Sequence, residues 1–232
     1  VMGLAETVPV INAVDLKLFQ AQRFAKNNLV VSVVGDVTAD ALAKMLDSVF
    51  GSLPETASPW ILADTRATDG GRTIVIDKPI PQSVIRFGQA GIKRNDPDFF
   101  AAYIMNYVLG GGGFESRLYK EVREKRGLAY SAYSYLSPYN HAGLIIGGSA
   151  TENARVAETI SILKNEWRRM ADRGLTRTEL EDAKKYLTGS YPLRFSSSRQ
   201  IAAVMTGIQL ERLGIHYIDQ RNSFINAVTL ND

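Results

Sequence analysis

The sequence predicts an α+β protein, an antiparallel sheet with helices packed on one face. Two observations carry this. Strand-like runs are grouped between residues 73 and 149, and only helical periodicity follows them. A regular strand–helix–strand alternation, the mark of a doubly wound sheet, is missing. With 232 residues, 45% of them hydrophobic and 22% charged, the chain has the composition of an ordinary globular protein and ample length for a sizeable core.

The elements follow in order. Val14, Leu16, Leu18 and Phe19 lie in a mixed amphipathic stretch. Residues 29–34 form a β-branched apolar run closed by Gly35 and Asp36, which predicts a buried strand. Thr38 is a predicted N-cap, and Leu42, Met45, Leu46 and Val49 follow at helical spacing until Gly51. From Ser52 to Arg72 the chain turns to Pro, Ser, Thr, Ala, Asp and Gly with little periodicity, and 57–72 reads as an interdomain linker. The predicted organisation is thus 1–56, linker 57–72, and a second domain over 73–232.

In that second part, 73–77 and 82–90 read as strands separated by the turn from Pro79 to Pro81. Asp96 followed by Pro97 predicts a capped helix start, and 97–109 is apolar nearly all round, as a buried helix would be. Gly110, Gly111, Gly112 and Gly113 end it. A short charged helix is expected over 115–125. Strands over 128–136 and 142–149 follow, joined through Pro138, Tyr139 and Asn140. Val156, Ile160, Leu163, Trp167 and Met170 then form one apolar stripe ended by Gly174. Thr176 and Glu179 read as a capping box, and Ile201, Val204, Met205 and Ile208 form a further stripe.

Composition excludes several function classes. The 27 basic residues nearly balance 24 acidic ones, and no run of like charge suggests nucleic-acid binding. With no cysteine, disulfides, thiolate nucleophiles and Cys-ligated metals are excluded. No apolar stretch approaches the roughly 20 residues of a membrane span. Residues 1–7 lack a basic and apolar leader pattern, and the absence of a start methionine suggests a piece of a longer chain.

Candidate chemistry is sparse. The two histidines, His141 and His216, have no Glu or His at ligand spacing, so no metal is expected on this chain. G-x-S-x-G is absent, and Ser131, Ser134 and the serines at 196–198 read as strand-surface and helix-start residues. The glycine run follows a helix and not a strand, which fits neither a P-loop nor a dinucleotide fingerprint. Gly110, Gly111, Gly112 and Gly113 read either as a helix-to-helix hinge or as a loop beside a substrate path. Arg123 and Tyr130 stand seven apart with Gly127 between them. By residue type alone the helix around Arg123 is a solvated charged face and Tyr130 packs on a sheet. Alternatively a helix-to-strand turn at Gly127 brings both to one small volume, where guanidinium and phenol could hold a carbonyl oxygen.

The stretch 110–130, GGGGFESRLYKEVREKRGLAY, resembles the signature of the C-terminal half-domain in the insulysin, pitrilysin and processing-peptidase family of inverzincin zinc metallopeptidases. The resemblance rests on the glycine loop, Ser116-Arg117-Leu118 and the pattern Arg123, Gly127, Leu128, Tyr130. It continues through Trp167, the Thr176–Glu179 helix start and Leu187-Thr188-Gly189-Ser190. Residues 28–36 with Phe50-Gly51 and Leu53-Pro54 are similar to the tail of a preceding half-domain.

The resemblance implies a processing-peptidase-like half-domain truncated before its last helix and strand. It implies further that Arg123 and Tyr130 reach a peptide held at a zinc site on another half-domain or subunit. Zinc is then expected on that homologous partner, the substrate is a peptide or unfolded polypeptide, and this piece alone is inactive. Pro81-Gln82-Ser83-Val84 and Phe87-Gly88-Gln89 look more like a bacterial zinc-free partner subunit. A single-chain homodimeric peptidase and a non-proteolytic scaffold of the same fold are the alternatives. A soluble protein of the bacterial periplasm is the expected setting.

Overall fold

The computed structural model of the chain describes residues 3–67 and 70–232. Val1 and Met2 of the amino-terminal run, and Thr68 and Asp69 of the expected linker, lie outside the described residues. The principal elements are α1 (Ala13–Arg23), α2 (Ala39–Phe50), β1 (Gln82–Ala90), α3 (Phe99–Asn106), α4 (Arg117–Tyr119), β2 (Ala129–Tyr139), β3 (Ala142–Glu152), α5 (Val156–Arg173), α6 (Arg177–Gly189), α7 (Ser198–Leu210) and α8 (Tyr217–Ala227). They fall into two compact units. One comprises Val1–Ile61 with Pro192–Ile215, the other Leu62–Tyr191 with His216–Asp232.

The first unit holds α1, α2 and α7. Each begins with a side-chain cap that satisfies free backbone amides: Asn12 with Asp15 in a capping box, Thr38 accepting from the Ala41 amide, and Ser197 accepting from the Gln200 amide. Residues 29–34 depart from the expected buried strand. The run is extended, but no ladder forms along it among the described residues, and Leu29, Val31 and Val33 remain exposed. An apolar β-branched run becomes a strand only beside a partner strand.

The second unit is built on a sheet of order β1-β3-β2, antiparallel at both junctions. Residues 73–77 join no ladder either, and Ile74, Val75 and Ile76 stay exposed, which corrects the expectation of a strand there. One sheet face packs on helices. Its core joins Ala129 and Ala132 of β2 to Ile104 of α3, Leu118 of α4, Leu163 and Met170 of α5, Leu180, Ala183 and Leu187 of α6 and Ile225 of α8. Burying each large aliphatic side chain contributes roughly 1.5–3 kcal/mol.

Two details differ from the periodicity. In α5 the buried stripe is Thr159, Leu163, Glu166 and Met170, rotated so that two polar residues replace Ile160 and Trp167. Thr159 is accommodated by donating to the Arg155 carbonyl at 3.0 Å, with the Thr151 hydroxyl 3.3 Å away. The helix expected from Pro97 instead begins at Phe99, because Asp96 turns the chain first, accepting from the amides of Asp98 and Phe99. After Asn106 the backbone widens into a π turn, Tyr107–Gly111, that buries Val108, Leu109 and Gly110. The buried Ser134 hydroxyl donates to Asn106 Oδ1 at 2.8 Å, while the Asn106 amide donates to the Ser134 carbonyl at 3.3 Å. This pins the helix end against β2.

Candidate functional site

The segment from the glycine run to β2 positions the predicted pair. A 3₁₀ turn, Gly113–Glu115, leads into α4, and the helix widens into a second π turn, Lys120–Glu124. Leu118 and Val122 are fully buried, so one side of this short helix is fixed in the core. Arg117, only 7% exposed, anchors its start. Its guanidinium donates to both Glu179 oxygens at 2.7 Å and to the Gly174 carbonyl at 3.0 Å. The Arg117 hydrogen bond, opposed by burial and helped by Thr176, holds the Glu179 carboxyl down at about 2. Glu179 in turn raises the Arg117 pKa. The Thr176–Glu179 capping box predicted from sequence is present, and the same carboxylate serves both purposes.

The helix ends at Gly127, whose φ of +58° is a left-handed conformation that favours glycine. Its amide donates to the Arg123 carbonyl at 2.9 Å, and the chain reverses into β2. The β2–β3 register then slips: Ala129 faces Thr151 and Ala132 faces Ser149, so Tyr130 and Ser131 share one partner position. This is a β-bulge, which re-aims a side chain out of the regular alternation. Ala129 and Ala132 stay buried while Tyr130 is 81% exposed.

The structure brings Arg123 and Tyr130 together. The guanidinium carbon lies 4.4 Å from the Tyr130 ring centroid, and Nη1 donates to the Tyr130 carbonyl at 3.5 Å. Nη1 also donates to the Tyr119 hydroxyl, with the guanidinium 5.1 Å from that ring. Tyr119 in turn meets Phe114 edge to face at 4.9 Å, and Phe114 is 67% exposed. Sequence reasoning missed Tyr119 and Phe114. The readable signal was the i, i+4 spacing of Tyr119 and Arg123 on one helix face.

The glycine run sits close behind. A methyl group on Gly110 would lie 2.5 Å from the Ser134 amide nitrogen and hydroxyl, and one on Gly111 would lie 2.8 Å from Asn106 Nδ2. Gly112 is similarly close to the Tyr107 carbonyl at 2.8 Å, whereas Gly113 has open space around it. Close approach to β2 therefore explains glycine at 110 without any hinge.

The donor set does not fit zinc. Among the described residues no group of three or more His, Cys, Asp or Glu side chains could hold a metal ion. His141 Nδ1 lies 3.4 Å from an Asp64 oxygen, but Lys93 holds that carboxylate at 2.5 Å. Among the described residues, no helix is long and apolar enough to cross a membrane.

Fold and site together define a helix-covered antiparallel α+β unit that lacks a metal-ligand set among its described residues. The chain belongs to the peptidase M16 inactive-domain family, whose sequence pattern matches residues 11–187. It is 31% identical over 220 residues to an uncharacterized zinc protease of Streptomyces coelicolor, covering 92% of this chain and 46% of that protein. It is 32% identical over 197 residues to a non-peptidase homolog, YmxG, of Helicobacter pylori, covering 83% and 44% respectively. A crystal structure of a peptidase M16 inactive domain from Pseudomonas fluorescens superposes with a TM-score of 0.84 at 29% identity, covering 98% of this chain and 54% of that one. The chain thus spans about half the length of the relatives it matches. The resemblance read from 110–130 and the α+β class are both found.

Proposed function

We propose that this chain is the substrate-clamping part of a zinc metalloendopeptidase, supplying Arg123 and Tyr130 to a peptide held at a zinc site on another half-domain or subunit. The observation that carries the reading is the bulge at Tyr130, which exposes the ring while its carbonyl and Tyr119 hold the Arg123 guanidinium beside it. Arg123 Nε and Nη2 make no hydrogen bond to the described residues, so they are available to a substrate carbonyl. Preorganised donors of this kind stabilise negative charge as it develops on that oxygen. In this reading Gly110, Gly111, Gly112 and Gly113 border the substrate path: Gly110 lies against Ser134 of β2, and the run leads into the exposed Phe114. Zinc on the partner would supply the Lewis acid.

In this reading the partner is a homologous zinc-bearing half-domain or subunit, the substrate is a peptide or unfolded polypeptide, and the setting is the bacterial periplasm. The test is turnover in the reconstituted peptidase. Arg123→Ala or Tyr130→Phe is expected to cost about 3 kcal/mol of transition-state stabilisation, roughly a hundredfold in rate, with assembly preserved. Unchanged turnover in both variants overturns the reading.

Two observations favour other assignments. Relatives about twice this length carry the name zinc protease, which favours a parent bearing its own zinc site and acting as a homodimer. An H-x-x-E-H motif elsewhere in the parent decides for it. The Helicobacter relative's name, non-peptidase homolog, favours a scaffold, which no partner would convert into a peptide-cleaving complex.

A further inference from the structure

The face of the sheet away from the helices carries a second Arg–Tyr pair. In the register, Arg86 of β1 and Tyr133 of β2 both stand opposite Gly148 of β3, one from each side. Arg86 Nη1 donates to the Tyr133 hydroxyl. A methyl group on Gly148 would lie 2.7 Å from Arg86 Nη1 and 3.1 Å from the Tyr133 oxygen, so the glycine provides the space in which the two side chains meet. Tyr135 stacks beside Tyr133 with ring centroids 6.2 Å apart.

Two further observations point to a ligand. Neither Arg86 nor Arg123 has a carboxylate partner among the described residues; both are held by tyrosine oxygens. Both guanidinium charges are thus left to an incoming anion. Glu152, on the same face, stands four residues along β3 from Gly148, about 13 Å away by strand rise, at the end of the sheet. The second observation is spacing. The bulge carrying Tyr130 faces Ala150, and the Arg86–Tyr133 row faces Gly148, two residues further along β3. That interval is about 7 Å, the repeat at which an extended peptide presents side chains on one face.

We infer that Arg86 and Tyr133 form a subsite for an acidic side chain, an Asp or Glu two residues from the peptide carbonyl held by Arg123 and Tyr130. The inference rests on the clamping role proposed above. The guanidinium pairs with the carboxylate, and Tyr133 holds it in place while its ring walls the subsite.

The test uses the complete reconstituted peptidase and matched peptides with Glu or Gln two residues to either side of the scissile bond. The wild-type protein is expected to prefer one Glu peptide about fivefold in kcat/KM, the size an exposed ion pair supports, with the preference fading at high salt. Arg86→Gln should abolish the preference by lowering kcat/KM of the Glu peptide to that of the Gln peptide, and Gly148→Ala, which displaces the pair, should weaken it. Absence of a wild-type preference, or an equal loss on both peptides in Arg86→Gln, overturns the inference. Arg123→Ala, run alongside, reports on the clamp alone by slowing every peptide. Should it slow none, fluorescence anisotropy of labelled Glu and Gln peptides on the full-length protein still decides whether Arg86 reads the carboxylate.

Discussion

Arg117 and Glu179 are joined by two parallel hydrogen bonds, Nε to Oε1 and Nη2 to Oε2, each 2.7 Å long. The bridge ties the first turn of α4 to the first turn of α6, and the same carboxylate accepts from the Thr176 amide and hydroxyl at 2.8 Å. Since α4 leads within two turns to Arg123, this pair supports the candidate site from behind.

Glu179→Gln keeps a residue able to close the capping box but removes the charge that compensates the buried Arg117. Loss of a partner from such a pair is expected to destabilise the protein by about 2–4 kcal/mol. A urea unfolding midpoint measures it, and a shift corresponding to less than about 0.5 kcal/mol would place the bridge among ordinary surface pairs.

The same carboxylate predicts the acid behaviour. Its pKa in the folded chain is lowered from 4.5 to about 2, so its contribution is complete above the unfolded value and is lost as pH falls from about 4.5 towards 2. Allowing for solvent screening, about 1–2 kcal/mol of stability should disappear across that window. Glu179→Gln should flatten this part of the stability–pH curve, measured by chemical unfolding at stepped pH.

Gly110→Ala forces a methyl group to within 2.5 Å of the Ser134 amide and hydroxyl, where the Asn106–Ser134 hydrogen bonds leave little freedom to retreat. Overpacking of this kind costs about 1–3 kcal/mol. Gly113→Ala meets no neighbouring atom but must hold a φ of +58°, so a smaller loss of about 1 kcal/mol is expected. Thermal unfolding of the two variants gives the order, and a hinge role at Gly110 would instead leave stability nearly unchanged.

Tyr119→Phe removes the hydroxyl that accepts from Arg123 and keeps the ring against Phe114. It is expected to lower kcat/KM of the reconstituted peptidase about fivefold, equivalent to roughly 1 kcal/mol, with little change in unfolding midpoint. A variant as active as wild type would show that the Tyr130 carbonyl and ring suffice to place the guanidinium.

Most of the helices were legible because their signals are local, whereas α8, which has no side-chain cap at its start, was not read. The caps at Thr38 and Thr176 are single side chains reading nearby amides, and both are present. The turn at Asn140 and the start of β3 were legible, but β2 runs on through Pro138 to Tyr139 and β3 to Glu152, beyond the expected ends at 136 and 149. The runs 29–34 and 73–77 were misread because periodicity reports what a segment would bury, not whether a partner strand lies beside it. The bulge at Tyr130 was invisible for a related reason. It is a relation between two strands, and Ala129-Tyr130-Ser131-Ala132 alone carries no sign that two exposed residues will stand between two buried ones. Arg117 was legible only as part of the Ser116-Arg117-Leu118 motif, and only the fold brings Glu179 to it across 62 residues.

A double-mutant cycle of Arg123→Ala and Tyr130→Phe in the reconstituted peptidase probes the clamp most directly. If both groups hold one oxyanion, each single variant should lose most of the activity and the double variant little more, a coupling above about 1 kcal/mol. Two small, additive losses would contradict a shared site, and full activity in the double variant would remove Arg123 and Tyr130 from catalysis altogether.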